Sequence, residues 1–249
     1  MVAHKTTFQL WEGHGPEGLG AAPPETDIPA PVPGEHAAMA ISRLARECES
    51  AGGLNIVALG PLTNLALAVM LDPTIPERVA SLTVMGGTSS AHGNYGFTSE
   101  FNFAGDPEAA KIVLERFKKV RIMPWETMDL SLTWEEYDEL FAKKTELSEW
   151  IALVMKNLND VERDNPMYPG VYLPDACAMH SIIRPESVTK AVDLHGEVET
   201  AGELTRGGVF YDWYSKSGKD KNVYLIQNMD IKRYAEDLKN VFHNGSYKI

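Results

Sequence analysis

Cysteine is nearly absent from this chain of 249 residues: Cys48 and Cys177 are the only two, widely separated. That excludes a disulfide framework and any C-x-x-C metal or redox pair, and a reducing compartment is the default. No run of Lys or Arg builds a basic patch, and the net charge of −12 repels phosphate backbones and anionic lipid surfaces. Long apolar runs are missing too. The longest, Leu65 to Leu71, is far too short to span a bilayer, and Met1 to Leu10 has no apolar signal-peptide core. These absences predict a cytoplasmic protein with neither a nucleic-acid nor a membrane partner.

Several familiar motifs also fail. Gly13-His14-Gly15-Pro16-Glu17-Gly18 fits G-x-G-x-x-G, but a dinucleotide fingerprint must open a helix, and here Ala21 to Gly34 is a proline-rich loop. Gly87-Thr88-Ser89-Ser90-Ala91 lacks the second glycine of a nucleophile elbow. There is no phosphate-binding loop of the G-x-x-x-x-G-K type and no H-E-x-x-H zinc helix. Asn244-Gly245-Ser246 matches the glycosylation triplet by chance, with no signal peptide to give it meaning.

What is present is ordinary material for a buried core: 44% hydrophobic and 23% charged residues. Ala38, Ile41, Leu44, Ala45 and Cys48 recur at helical spacing over Glu35 to Glu49, and Gly52-Gly53 ends that helix. Leu54 to Leu59 reads as a strand, Thr63 onward as a helix, Val79 to Met85 as a strand. Asp106-Pro107-Glu108 opens another helix, with Asp as N-cap and Pro in the first turn, before a strand at Val120 to Met123. Strand and helix in alternation predict an α/β fold with a mostly parallel central sheet flanked by helices. Farther on, Trp134 to Asp164 is helical with a break at Thr145, and Asp175 to Ile183 forms a short buried helix. Short strands are expected at Val188 to Val192, Val198 to Thr200, Gly208 to Tyr211 and Val223 to Gln227, then a closing helix over Met229 to Phe242. No repeat or linker interrupts the chain, so a single domain over residues 1–249 is expected.

Ligands of parallel sheets bind beyond the carboxyl ends of the strands, which singles out the loops after Leu59, Met85 and Met123. The loop from Met85 to Glu108 is long, and Asn94, Glu100 and Asn102 in it offer amides and a carboxylate suited to the hydroxyls of a sugar. If that stretch is extended, Phe101 points away from its neighbours. The same residues would equally serve as a turn that caps its own backbone. Asp175 opens an apolar stretch, either as the N-cap of its helix or as a ligand to a metal or a bound hydroxyl.

Taken together, Thr63-Asn64 in G-P-L-T-N, Met85-Gly86-Gly87, Asn94, Glu100-Phe101-Asn102, Asp106-Pro107-Glu108-Ala109-Ala110 and Pro174-Asp175 strongly resemble the inosine/uridine-preferring nucleoside hydrolases. His14-Gly15, Gly18-Leu19-Gly20 and Gly202-Glu203-Leu204-Thr205-Arg206-Gly207 extend the resemblance over nearly the whole chain, in order. It implies hydrolysis of the N-glycosidic bond of a ribonucleoside, with Ca²⁺ holding the attacking water and the ribose diol. Asn94 and Glu100 would hold the 5′ end of the ribose, Asn102 its diol, and Met85 would line the pocket. Asp175 and the backbone carbonyl of Leu59 would be metal ligands. Family members commonly form homo-oligomers.

Four points of comparison matter. Leu59 replaces the usual Thr, which a main-chain ligand tolerates. Pro174 stands where many members place a His that protonates the leaving base, and proline carries no proton to give. Trp125 and Glu126 resemble the version in one branch of the family, Trp125 either stacking on the base or filling core. Above all, the family's D-x-D-x-x-x-D-D cluster, which supplies most calcium ligands and the catalytic base, has no counterpart, since no D-x-D and no adjacent Asp pair occurs. The expectation is a member whose first strands and catalytic base are missing, weakly active or inactive, with doubtful calcium binding. The alternatives are a catalytically dead nucleoside-binding relative or a non-enzymatic fragment acting by association.

Overall fold

The computed structural model describes residues 34–126, 130–166 and 169–245. The glycine-rich segment His14 to Gly20, the proline-rich run up to Pro33 and Ser246 lie outside them. The described chain gathers into two compact units, one from residues 34–126 and 174–229, the other from residues 130–166, 169–173 and 230–245.

The first unit is built on a five-stranded sheet. Helix α1 (Ala37–Glu47) precedes β1 (Leu54–Ala58), and Gly52 and Gly53 turn the chain between them at φ 97° and 95°. Then follow α2 (Thr63–Leu71), the short α3 (Ile75–Arg78), β2 (Val79–Met85), α4 (Phe101–Gly105), α5 (Pro107–Arg116) and β3 (Val120–Met123). Later come α8 (Pro174–Ile183), β6 (Val188–Leu194), β7 (Gly196–Val198), β8 (Val209–Tyr211) and β9 (Val223–Met229). The sheet order is β1-β2-β3-β9-β6, with β1, β2, β3 and β9 parallel and β6 antiparallel at its edge. This is the mostly parallel α/β sheet the alternation predicts.

Strand residues two apart share a face. Leu82, Val84, Val120, Ile122, Val223 and Leu225 turn to one side and pack with Ala38, Ala45, Leu65, Val69, Ala109 and Val113 from α1, α2 and α5. Thr83, Arg121 and Tyr224 form a row on the opposite side, level with one another. Helix α8 lies on that side, its Ser181 carbonyl accepting Arg121 Nη2 at 3.2 Å.

The second unit holds β4 (Leu132–Thr133), α6 (Trp134–Leu140), α7 (Glu146–Glu162), β5 (Gly170–Val171) and α9 (Ile231–Asn244). Thr133 and Thr145 both close capping boxes, so the expected break at Thr145 is the N-cap of α7. Edge-to-face contacts run from Trp134 to Tyr137, from Tyr137 to Phe141, and from Phe141 to Phe242. No helix among the described residues is long and apolar enough to cross a membrane.

Two local expectations are corrected. Phe101 is not extended: it opens α4, because the Glu100 carboxylate caps the free N–H groups of that turn. The strand expected at Val198 to Thr200 sits earlier, at Gly196–Val198, where Gly196 and Val198 pair with Tyr211 and Val209.

Candidate functional site

The carboxyl end of β2 is the meeting point. Met85, its last residue, is buried, and its carbonyl oxygen and sulfur accept Asn102 Nδ2 at 3.1 and 3.3 Å. Asn102 is nearly buried on α4, and this grip fixes its amide plane. Glu100, only 2% exposed, spends both carboxylate oxygens on main chain: Oε1 accepts Asn102 N at 2.8 Å, and Oε2 accepts Gly87 N at 3.0 Å and Phe103 N at 3.4 Å.

Burial pushes the Glu100 carboxyl up to about 7 against those three N–H groups, and the charge of Asp175 adds to the rise. Asp175 lies in the first turn of α8, after Pro174 has begun the helix, so it is not the N-cap. Solvent reaches the residue, yet the protein crowded around its carboxyl lifts it to about 6. Two raised carboxyls near a strand end, one of them sensing the other's charge, are a recurrent mark of a binding site.

Asn94 is exposed and turned partly inward on its own loop, its Oδ1 accepting Phe101 N at 2.8 Å. The loop that carries it closes as a two-way bridge, Tyr95 N to Ser99 O at 2.9 Å and Ser99 N to Tyr95 O at 3.2 Å. Leu59 directly follows β1, where Ala58 pairs with Val84, so it stands level with Met85 on the neighbouring strand end. The hairpin of β7 and β8 leans on the same loop. Thr98 Oγ1 and Ser99 Oγ donate to the carbonyls of Leu204 and Arg206, which ties the G-E-L-T-R-G segment to that loop.

Met85, Glu100, Asn102 and Asp175 are therefore brought together, with Asn94 and Leu59 at the margin. The metal is another matter. Among the described residues no three His, Cys, Asp or Glu side chains could hold one. Glu100 is committed to backbone donors, leaving Asp175 and the Leu59 carbonyl against the roughly six to eight oxygens Ca²⁺ takes. The described residues do not fit a calcium ion on their own. Sequence reasoning missed what the Glu126 carboxylate does: it gathers three loop N–H groups, with no residue-type signature beyond its place after a strand's carboxyl end.

Comparison with known proteins identifies the family. A probable uridine nucleosidase 2 of Arabidopsis thaliana is 32% identical over 197 residues, 78% of this chain and 59% of that protein. The pyrimidine-specific ribonucleoside hydrolase RihA of Escherichia coli is 29% identical over 226 residues, 90% of this chain and 71% of that protein. Among solved structures, an inosine-guanosine nucleoside hydrolase superposes with a TM-score of 0.85 at 30% identity, covering 100% of this chain and 79% of that one. The chain thus spans about three fifths of the length of the Arabidopsis relative. Residues 3–236 match the family described as inosine-uridine preferring nucleoside hydrolase, and the chain belongs to that family.

Proposed function

We propose that this chain is the ribose-binding part of an N-ribohydrolase, and that its 249 residues alone bind ribonucleosides with little or no turnover. The observation that carries the reading is the convergence of Met85, Glu100, Asn102 and Asp175 at the end of β2, with the Asn102 amide and the Glu100 carboxylate held by main chain. The two units are taken as one domain, since the family match runs through both.

In hydrolysis of an N-glycosidic bond, water adds at the anomeric carbon, the bond to the base breaks, and positive charge develops on the sugar ring. Asn102, fixed by Met85, presents its amide to the ring hydroxyls. Asp175, and Glu100 where ionised, place negative charge beside the developing cation. Asn94 holds the outer end of the sugar. No described residue is assigned to deprotonate the water, and Pro174 has no proton for the leaving base, which supports weak or absent turnover.

A second reading, a nucleoside-binding relative without catalysis, is favoured by one observation: no D-x-D or Asp pair occurs in the sequence. Calorimetric titration of the full chain with inosine, uridine and ribose, beside an assay of released ribose, tests both. Saturable binding lost in Asn102→Ala is expected. Failure to bind all three would overturn the site, and rapid ribose release would overturn the claim of weak activity.

A further inference from the structure

The turn that leads into the sugar-binding loop is held by a carboxylate from another strand end. Glu126 follows β3, and its Oε1 accepts Ser90 N at 2.8 Å, His92 N at 3.0 Å and Ser90 Oγ at 3.2 Å, while Oε2 accepts Ser89 N at 2.5 Å. These donors converge because Ala91 adopts φ 63°, a conformation an alanine takes only under compensation. Backbone N–H groups so arranged make an anion-binding concavity, and here the chain's own carboxylate fills it. All four donors to Glu126 belong to Ser89, Ser90 and His92, so the carboxylate is bound to this one turn.

The turn is tied to the site at its other end. Trp125 N donates to Gly87 O at 3.0 Å, and Gly87 N donates to Glu100 Oε2 at 3.0 Å. Gly87 sits at φ 70°, and a Cβ there would lie 2.8 Å from Val209 Cγ1, so it has little freedom to shift. We propose that Glu126 is a positioning residue for the sugar-binding cluster: it fixes the 87–92 turn so that the Gly87 N–H is presented to Glu100, which caps α4 and thereby places Asn102.

This rests on the reading of Glu100 and Asn102 as sugar-binding, and the test separates the two. Residue-resolved amide exchange is measured on the full chain as wild type, Glu126→Gln and Glu126→Ala, with inosine affinity determined for each. In Glu126→Ala, exchange should accelerate by about tenfold or more at Ser89, Ser90 and His92, and also at Gly87, Asn102 and Phe103, which Glu126 does not touch. Ile56 in β1 and Val113 in α5 should be unchanged. Glu126→Gln, which keeps one acceptor oxygen, should recover part of both the protection and the affinity. Acceleration confined to residues 89–92, or uniform across the chain in both variants, overturns the proposal. So does spread exchange with unaltered inosine affinity. If wild type binds no inosine, the proposed function fails, while spread to Gly87 and Asn102 still supports the relay and its absence still overturns it.

Discussion

Thr63 and Asp106, 43 residues apart, share a 2.6 Å hydrogen bond that ties the start of α2 to the start of α5. The Thr63 hydroxyl donates to Asp106 Oδ2, while Oδ1 accepts Ala109 N at 3.0 Å as the N-cap of α5. Two of the motifs that carry the family resemblance are therefore one structural joint.

Asp106→Ala removes the cap and strands a hydroxyl, and should cost about 2 kcal/mol, seen as a melting midpoint lower by roughly 4–8 °C. Asp106→Asn retains Oδ1 for Ala109 and should cost well under half as much. Thermal denaturation of the three proteins checks the order.

The carboxyl of Glu100, raised from 4.5 to about 7, makes stability depend on pH in a defined direction. The folded protein binds this proton more tightly than the unfolded chain, so stability is greatest below about pH 4.5 and falls as pH rises to about 7. The loss is at most about 3 kcal/mol. Glu100→Gln should flatten urea-unfolding free energies across that window. Below it the sign reverses through Asp72, Glu197 and Asp212, whose carboxyls are held near 2 by hydrogen-bond donors, so stability drops again as pH falls toward 2.

Gly93 admits no side chain, since a Cβ there would lie 1.7 Å from the Ser99 carbonyl oxygen. Both groups are backbone, so the loop itself must move. Gly93→Ala should break the Tyr95–Ser99 bridge and the Asn94–Phe101 bond. Nucleoside binding should be lost, with a stability cost of about 1–3 kcal/mol. Retained inosine affinity in a folded Gly93→Ala protein would show that Asn94 has no part in the site.

Arg121 sits half-buried with its guanidinium 4.9 Å from the Tyr224 ring centroid and one N–H on the last turn of α8. A cation at that end offsets the helix's unpaired carbonyls. Arg121→Met keeps the apolar stem and should cost about 1–2 kcal/mol. Faster amide exchange in the last turn of α8, unmatched in α5, distinguishes this from general loosening.

Much of the frame was legible because local chemistry and tertiary demand agree there. Val79–Met85 and Val120–Met123 are strands as read, and Asp106-Pro107 opens a helix as read. Helix α4 was not legible: five residues reading F-N-F-A-G have little intrinsic helical preference, and only the Glu100 cap explains them. Nor was the antiparallel direction of β6, which depends on how the β7–β8 hairpin returns the chain. Within the site, Glu100, Asn102 and Asp175 stood out by residue type and place, and Met85 only through the family resemblance. Their mutual support did not, because main-chain donors leave no mark in a sequence.

The placement of β9 between β3 and β6 bears on how the molecule is made. Val120 pairs with Val223, so β1, β2 and β3 are synthesised long before the strand that completes β3 exists. Until then β3 presents an open hydrogen-bonding edge, and Val120 and Ile122, fully buried in the finished sheet, lack their neighbours Val223 and Leu225. Loop closure over such a separation slows folding toward the millisecond-to-second range, roughly, for sheets dominated by distant pairings. The nascent chain spends that interval with β3 unprotected, and a chain ended before Val223 would never leave it.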